Sequence, residues 1–173
     1  MSSDRPLYER DPDAWHEHLA EGNRRQARKR VGVDALIRDE AGRILLVDPS
    51  YKPDWDLPGG MAESDESPRD ALRRELYEEL GLQVALGSML CVDWVAPHGP
   101  WDDSLMFIFD GGVLDQTQIA DLEITDDELT EFRFCVAGDA ADLLRPSYWK
   151  RVEAALEALR SGRSVDLQDG GRA

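Results

Sequence analysis

The sequence predicts an α/β domain in which helices cover a mixed β-sheet. Apolar runs typical of strands recur between residues 31 and 136, and stretches with helical periodicity precede, interrupt and follow them. The 173 residues suffice for one hydrophobic core and leave little for a second. We therefore expect a helical extension at 1–30, the domain at 31–161 and a disordered tail at 162–173.

The first predicted element is a helix over residues 12–30. A proline stands near its start, Trp15 and Leu19 recur at helical spacing, and its end is rich in arginine. We interpret this basic end as a solvated helix terminus, with a phosphate site as the alternative. His16 and His18 point in different directions on such a helix, so they do not form a metal-binding pair.

Strand patterns fill most of the chain after this helix. The segments "VGVDALIRD" and "RILLVD" flank "EAG", whose glycine suits a short hairpin. Two long strands are predicted for "QVALGSMLCVDWVA" and "SLMFIFDGGVL", joined by the loop "PHGPWDD", and one more for "EFRFCV". The apolar 3–4 repeat of "PSYWKRVEAALEALRSG" predicts a closing helix. The last twelve residues contain too little apolar surface to pack.

The charge balance restricts the possible ligands. Twenty basic residues stand against 36 acidic ones, a net charge of −16, which opposes binding to nucleic-acid polymers or anionic membranes. An anionic ligand would therefore need a metal ion to attract it. No secretory signal and no run of eighteen apolar residues is visible, so we expect a cytoplasmic protein in which Cys91 and Cys135 are reduced core thiols.

A central helix is predicted within "GGMAESDESPRDALRRELYEELGL", residues 59–82. Ser67 has the chemistry of an N-cap, a proline follows it, and Gly81 is a suitable stop. The helix therefore covers about residues 68–80. Leucines repeat every four residues along one side, whereas a second side carries three acids, namely Glu75, Glu78 and Glu79.

The crowding of these acids requires an explanation, because like charges three and four residues apart repel. Arg74 stands beside them but cannot neutralise three carboxylates. A divalent cation such as Mg²⁺ or Mn²⁺ would, since hard ions prefer carboxylate oxygens. The alternative is a solvated acidic helix face, which is common in a protein this acidic.

The spacing around the acids distinguishes these alternatives. It resembles the complete Nudix box at every specified position, namely Gly60, Glu66, Arg74, Glu75, Leu76, Glu78, Glu79, Gly81 and Leu82. The resemblance is tightest over residues 57–82 and looser from about Val31 to Leu144. It implies the α/β/α sandwich of the Nudix family, with a mixed β-sheet.

The resemblance also implies a chemistry. Nudix proteins typically hydrolyse a nucleoside diphosphate linked to another group, by attack of water on a phosphorus of the pyrophosphate. Carried over by motif, the residues that hold Mg²⁺ or Mn²⁺ would be Gly59, through its carbonyl, and Glu66, Glu75, Glu78 and Glu79. Arg74 would orient the carboxylates, and Glu78 and Glu79 would be the most direct ligands.

The general base and the substrate contacts are less closely defined by the motif. Glu128 lies before a strand where many Nudix relatives place such a base, with Asp127 and Glu131 as competitors and a solvated acidic loop as the alternative. Substrate contacts are expected around the loop "PHGPWDD" from three residues that could meet a base or sugar, with ordinary packing as the alternative. These residues are Trp94, His98 and Trp101.

The sequence thus predicts a metal-dependent pyrophosphohydrolase of a small nucleotide. The substrate class stays open between a nucleoside diphosphate sugar, an ADP-ribose-like compound and a nucleoside triphosphate. The alternative function is a Nudix module that binds a nucleotide without turnover. Oligomeric state also stays open, with a homodimer as the candidate.

Overall fold

A computed structural model describes residues 5–173 of the chain. Its six helices are α1 (Leu7–Arg10), α2 (Pro12–Arg25), α3 (Pro68–Leu80), α4 (Gln116–Ala120), α5 (Ala137–Leu143) and α6 (Pro146–Ser161). Its eight strands are β1 (Arg30–Asp39), β2 (Ile44–Pro49), β3 (Gly59–Met61), β4 (Met89–Val95), β5 (Ser104–Leu114), β6 (Leu129–Cys135), β7 (Val165–Gln168) and β8 (Gly171–Arg172).

All eight strands belong to one mixed sheet. Its order is β6-β2-β1-β5-β4-β7-β8, and the short β3 pairs separately with β1. Strand β1 runs parallel to β5 and antiparallel to both β2 and β3. This arrangement confirms the predicted mixed sheet and places the glycine pair of β3 directly against the central strand.

Helices cover both faces of the sheet. Odd-numbered residues of β1, such as Val33 and Ala35, pack with the leucines of α3 in one buried cluster. The even-numbered Leu36 joins a second buried cluster that includes Tyr148 and Val152 of α6. Because side chains alternate along a strand, β1 contributes to both clusters. The result is the predicted α/β/α sandwich.

The central helix begins and ends where the sequence predicts. The Asp70 amide donates to the Ser67 hydroxyl at 3.2 Å, which satisfies one amide of the first turn. Gly81 adopts φ 62°, and the Leu82 amide donates to the Leu76 carbonyl at 3.1 Å. This left-handed glycine ends α3 and turns the chain away from the helix axis.

Two expectations about the boundaries of helices and strands were wrong. The helix predicted to reach residue 30 ends at Arg25, and Gln26 is extended. The strand predicted from residue 83 starts only at Met89. The Gly87 amide donates to the Asp110 carbonyl, and Arg69 binds the carbonyls of residues 86 and 87. These contacts fix residues 83–88 as a connection outside the strand.

The predicted disordered tail is also wrong in the described structure. Val165–Gln168 form β7, which pairs parallel with β4, and Leu167 is 2% exposed. The Gly170 amide donates to the buried carboxylate of Asp93. Alternating apolar residues in so short a segment find a partner because β4 would otherwise be an open edge. Residues 1–4 of the predicted extension lie outside the described residues.

Within residues 5–173, no helix combines the length and apolar character needed to cross a membrane. Cys91 and Cys135 are both buried. Burial raises the pKa of the Cys91 thiol to about 12, so this thiol is protonated at neutral pH.

Candidate active site

The site is built where the glycine pair of β3 lies on β1. Gly59 is paired with Asp34, and Gly60 with Val33. Gly59 has φ 147°, and a Cβ there would overlap the backbone carbonyl of Val33. Only glycine permits this conformation and this close approach. The loop backbone therefore lies flush against the central strand.

Gly60 provides space for a carboxylate of α3. A Cβ at Gly60 would lie 2.5 Å from the carboxylate carbon of Glu75. The absence of a side chain thus lets the Glu75 carboxylate rest against the loop. Burial raises the pKa of Glu75, and the neighbouring Arg74 opposes this shift.

Arg74 stands at the centre of the box carboxylates. Its guanidinium donates to both carboxylate oxygens of Glu66, at 3.0 and 2.9 Å. A third nitrogen, Nη1, is 3.0 Å from Glu75 Oε1 and 3.0 Å from Glu78 Oε2. The guanidinium also donates to the Met61 carbonyl at 3.1 Å. Hydrogen bonds from Arg74 lower the pKa of Glu66, so Glu66 is ionised at neutral pH.

Glu79 is the buried member of the acid group, with 9% of its surface exposed. Its Oε2 accepts a hydrogen bond from the Gly59 amide at 2.9 Å. Burial raises the pKa of Glu79 to about 8, and the charges of Glu75 and Asp34 add to this rise. The side chain is thus partly protonated near neutral pH unless a cation stabilises its charge.

Asp34 forms the buried floor beneath Gly59. It is 6% exposed, and its Oδ2 has no hydrogen-bond partner among the described residues. Burial raises the pKa of Asp34 to about 7. A second carboxyl of raised pKa therefore lies behind the glycine loop, on the face of the sheet opposite to α3.

The helix carboxylates have the donor chemistry that a hard cation requires. In the described part of the chain, Glu75, Glu78 and Glu79 each keep one carboxylate oxygen outside these hydrogen bonds, whereas both oxygens of Glu66 accept from Arg74. Three oxygens of one helix face are thus available as ligands. Residues 5–173 contain no ready-made cluster of three such side chains around one point, so the side chains would have to rotate to converge.

A loop after α4 connects the end of α3 to the end of β2. Thr125 donates through its hydroxyl to the Glu78 carbonyl at 2.5 Å and through its amide to the Glu79 carbonyl at 3.1 Å. Further along this loop, the Ser50 amide donates to the Glu128 carbonyl at 2.7 Å. The backbone of the exposed Glu128 is thus fixed at the end of β2, three positions along the chain from the Thr125 that binds the end of α3.

The two competitors of Glu128 are placed differently. Glu131 lies on β6, where its carboxylate pairs with Arg133 at 2.9 Å. Asp127 is exposed, and none of the described hydrogen bonds involves its side chain. Asp126 instead accepts from the Glu128 amide at 2.8 Å. Glu131 is therefore engaged on β6, whereas none of the described hydrogen bonds involves the Glu128 carboxylate, and the charge of the neighbouring Asp126 contributes to the raised pKa of Glu79.

Tyr51 was missed by the sequence analysis. It follows Ser50 directly, is 67% exposed, and has the Lys52 ammonium 5.7 Å from its ring centre. Partial burial of the phenol raises the pKa of Tyr51, and the charges of Asp56, Glu128 and Glu79 raise it further. The exposed Tyr51 side chain thus lies close enough to these carboxylates for their charges to act on its phenol. Only its place after a predicted strand could have indicated it.

The three predicted substrate contacts lie together in the β4–β5 hairpin. The backbones of His98 and Trp101 pair with each other, and the Trp94 indole donates to Asp103 at 2.9 Å. Trp101 is 55% exposed beneath the Arg30 guanidinium, which is 4.4 Å from the ring centre. Within the described residues, no hydrogen bond joins residues 96–103 to α3. The structure brings these residues together but not to the carboxylates.

This architecture belongs to the class of α/β/α sandwich domains with a glycine loop against a carboxylate-bearing helix. The family model described as the NUDIX domain matches residues 28–155. Because that match covers well over half of the chain, the protein belongs to the Nudix family. The resemblance seen in the box is confirmed.

Two curated relatives match part of this chain in sequence. A CTP pyrophosphohydrolase of Escherichia coli (strain K12) is 40% identical over 74 residues, which are 40% of this chain and 51% of that protein. Diphosphoinositol polyphosphate phosphohydrolase 2 of Rattus norvegicus is 39% identical over 64 residues, 36% of each chain. The matches therefore span about half or less of these relatives.

Solved structures agree with the fold. The MutT protein of Methanosarcina mazei Go1 superimposes with a TM-score of 0.63 and 24% identity, covering 80% of this chain and 100% of that one. The NUDIX domain of Shewanella oneidensis NrtR, complexed with ADP ribose, superimposes with a TM-score of 0.66 and 21% identity. The match covers 83% of this chain and 97% of that one. At these identities the likeness establishes the fold alone.

Proposed function

We propose that the protein is a metal-dependent pyrophosphohydrolase that cleaves the pyrophosphate of a small nucleotide by attack of water at phosphorus. The observation that carries this proposal is the set of three carboxylates on one face of α3, each with an oxygen free for a cation. In a chain of net charge −16, such a cation also accounts for the binding of an anionic substrate.

Glu75, Glu78 and Glu79 would hold Mg²⁺ or Mn²⁺, together with the Gly59 carbonyl. Glu66 would support them through Arg74, because both of its oxygens already accept from that guanidinium. When bound, a divalent ion neutralises phosphate charge and lowers the pKa of a coordinated water. The bare backbone of Gly59 and Gly60 would let the pyrophosphate approach the helix closely.

Glu128 would accept the proton of the attacking water. Its backbone is fixed by the Ser50 amide, and its loop is fixed to the end of α3 by Thr125. This leaves the carboxylate exposed and free to turn towards the site. Arg74, whose Nη1 donates to both Glu75 and Glu78, would offset their mutual repulsion and orient them before the substrate binds.

A nucleotide suits the surroundings better than an inositol polyphosphate. The nearby cations are already engaged, since Lys52 pairs with Asp56, and Arg74 with its three glutamates. An inositol polyphosphate presents many phosphates and would need several free cations. Tyr51 instead offers a ring on which a base can stack, and Trp94, His98 and Trp101 would contact the more distant part of the substrate.

The known relatives act on several pyrophosphates, so the substrate remains to be selected among nucleoside diphosphate sugars, ADP-ribose-like compounds and nucleoside triphosphates. We further propose a cytoplasmic enzyme, because nucleotides are made there and thiols stay reduced. Its proposed macromolecular partner is a second copy of the chain, and nucleic-acid polymers and membranes are opposed by its charge.

The test is product release from these three substrate groups with Mg²⁺ or Mn²⁺. We expect turnover of one group, reduced at least about a hundredfold in Glu78→Gln. Glu153→Gln makes the same change on an exposed face of α6 and should retain full activity. Nucleotide binding without product at any metal concentration would instead support a sensing module.

A further inference from the structure

The C-terminal hairpin, defined here as residues 165–173, is attached to β4 through its turn. The turn consists of Asp169 and Gly170, whose φ angles of 51° and 73° are those of a type I′ turn. The Asp169 amide donates to the Trp94 carbonyl at 2.9 Å. The last residues of the chain are therefore a folded part of the sheet, and their turn lies beside the end of β4.

A buried ion pair holds this turn in place. Asp93 of β4 is fully buried, and its two carboxylate oxygens accept from the Gly170 amide at 3.1 and 3.2 Å. Arg151 of α6, which is 6% exposed, donates through Nε to the same carboxylate at 3.0 Å. Burial of two charges is costly unless further hydrogen bonds satisfy them, and the Gly170 amide supplies one. The pair therefore fixes the turn relative to β4 and α6.

The turn in turn holds the β4–β5 loop, defined here as residues 96–103. Asp169 accepts through Oδ1 from the Ala96 amide at 2.8 Å, at the start of this loop. At the other end of the loop, the Trp94 indole donates to Asp103 at 2.9 Å. The β4–β5 loop is thus held at both ends, and the contact at its start comes from the C-terminal hairpin.

The end of β4 faces the side of the sheet on which α3 lies. Trp94 is in register with Leu105, and Leu105 with Val31, which packs against the cluster that includes the α3 leucines. Strands β1 and β5 separate the glycine loop of β3 from β4, so β3 and β4 are roughly 14 Å apart at about 4.8 Å per step. A substrate bound through its pyrophosphate at the glycine loop therefore reaches the β4–β5 loop only with a group that extends beyond the pyrophosphate.

We propose that Asp169 is a positioning residue, which holds the β4–β5 loop where His98 and Trp101 contact the group linked to the nucleoside diphosphate. This inference rests on the proposed function, because it takes the substrate as the ligand of the loop. A loop that is fixed beforehand loses less conformational freedom when the substrate binds. Release of the loop should therefore weaken substrate binding and leave the chemical step unchanged.

Two substitutions of Asp169 separate its hydrogen bond from the shape of the turn. Glycine and asparagine both adopt the positive φ that the turn requires, but only asparagine keeps an acceptor for the Ala96 amide. The variants are therefore Asp169→Gly and Asp169→Asn. Asp166→Ala is the control, since this exposed aspartate belongs to the same hairpin and its side chain makes no hydrogen bond within residues 5–173.

The first measurement is steady-state kinetics with the substrate that the wild type turns over. Asp169→Gly should raise KM about fivefold while kcat changes by less than about twofold, since one hydrogen bond to a charged group is lost. Asp169→Asn and Asp166→Ala should keep the KM of the wild type within about twofold.

The second measurement is hydrogen exchange of the Ala96 amide by NMR, which needs no turnover. Exchange should be at least about tenfold faster in Asp169→Gly and unchanged in Asp169→Asn. An unchanged exchange rate in Asp169→Gly would overturn the proposal, as would faster exchange with an unchanged KM. A wild type that binds a nucleotide without turning it over contradicts the proposed function alone, and the dissociation constant then replaces KM in the same comparison.

Discussion

The Glu79 carboxylate accepts a hydrogen bond from the Gly59 amide at 2.9 Å, across 20 positions of the chain. This bond joins the buried acid of α3 to the glycine loop on β1. It orients one carboxylate oxygen and leaves the other free. The bond thus fixes the position of the glycine loop relative to the acids proposed to hold the cation.

Substitution of Gly59 by alanine should destabilise the protein strongly. The residue has φ 147°, and a Cβ would overlap the Val33 carbonyl. We expect Gly59→Ala to lower the free energy of unfolding by about 3 kcal/mol or more, measured by urea denaturation. Gly138→Ala is the control, because a Cβ there meets open space. Equal stability of the two variants would contradict the described loop.

Replacement of Arg74 by lysine should reduce stability despite the conserved charge. A single ammonium cannot reproduce the fork that binds Glu66 while reaching Glu75 and Glu78. The expected loss is about 2 kcal/mol of unfolding free energy. Arg73→Lys tests an exposed arginine paired with Asp70 and should cost less than about 0.5 kcal/mol. An unchanged free energy of unfolding in Arg74→Lys would show that Arg74 does not form this forked set of hydrogen bonds.

When no metal is bound, the pH dependence of the free energy of unfolding should show the raised pKa of Glu79. Its pKa is raised from 4.5 to about 8 by burial, so the folded state binds more protons than the unfolded state between these values. Stability contributed by the protonated carboxyl is therefore complete below about pH 4.5 and is lost as the pH rises towards 8.

Glu79→Gln removes this dependence because glutamine does not ionise. In EDTA, we expect the variant to gain stability relative to the wild type by on the order of 1 kcal/mol per pH unit between pH 5 and 8. Urea denaturation at each pH measures the difference. A difference that stays constant across this range would mean that Glu79 is ionised in the folded protein throughout.

Tyr51 should contribute to substrate binding more than to the chemical step. Tyr51→Ala removes the ring proposed to stack on the substrate, and should raise KM about tenfold while kcat changes little. Tyr51→Phe keeps the ring and should retain the KM of the wild type. Tyr77→Ala removes another exposed tyrosine as a control for surface effects. A normal KM in Tyr51→Ala would remove this residue from the site.

The sequence predicted the parts of the fold that depend on local patterns. Ser67 and Gly81 define α3 because capping acts within a few residues. The glutamates share a face because helical geometry fixes it.

The parts that were missed depend on contacts between distant segments. Val165–Gln168 become a strand only because β4 offers a free edge. Tyr51 reaches the site because Ser50 binds the backbone of Glu128, 78 positions later in the chain. No local pattern encodes these contacts, so the tail and the aromatic ring could not be predicted in the same way.

Binding of Mn²⁺, followed by electron paramagnetic resonance, tests the central claim most directly. The wild type should bind Mn²⁺, and Glu79→Gln should weaken that binding at least about tenfold, since it removes a charged ligand from a group of three. Glu153→Gln should bind as the wild type does. Identical Mn²⁺ binding by all three proteins would contradict the proposal that the α3 carboxylates hold the metal.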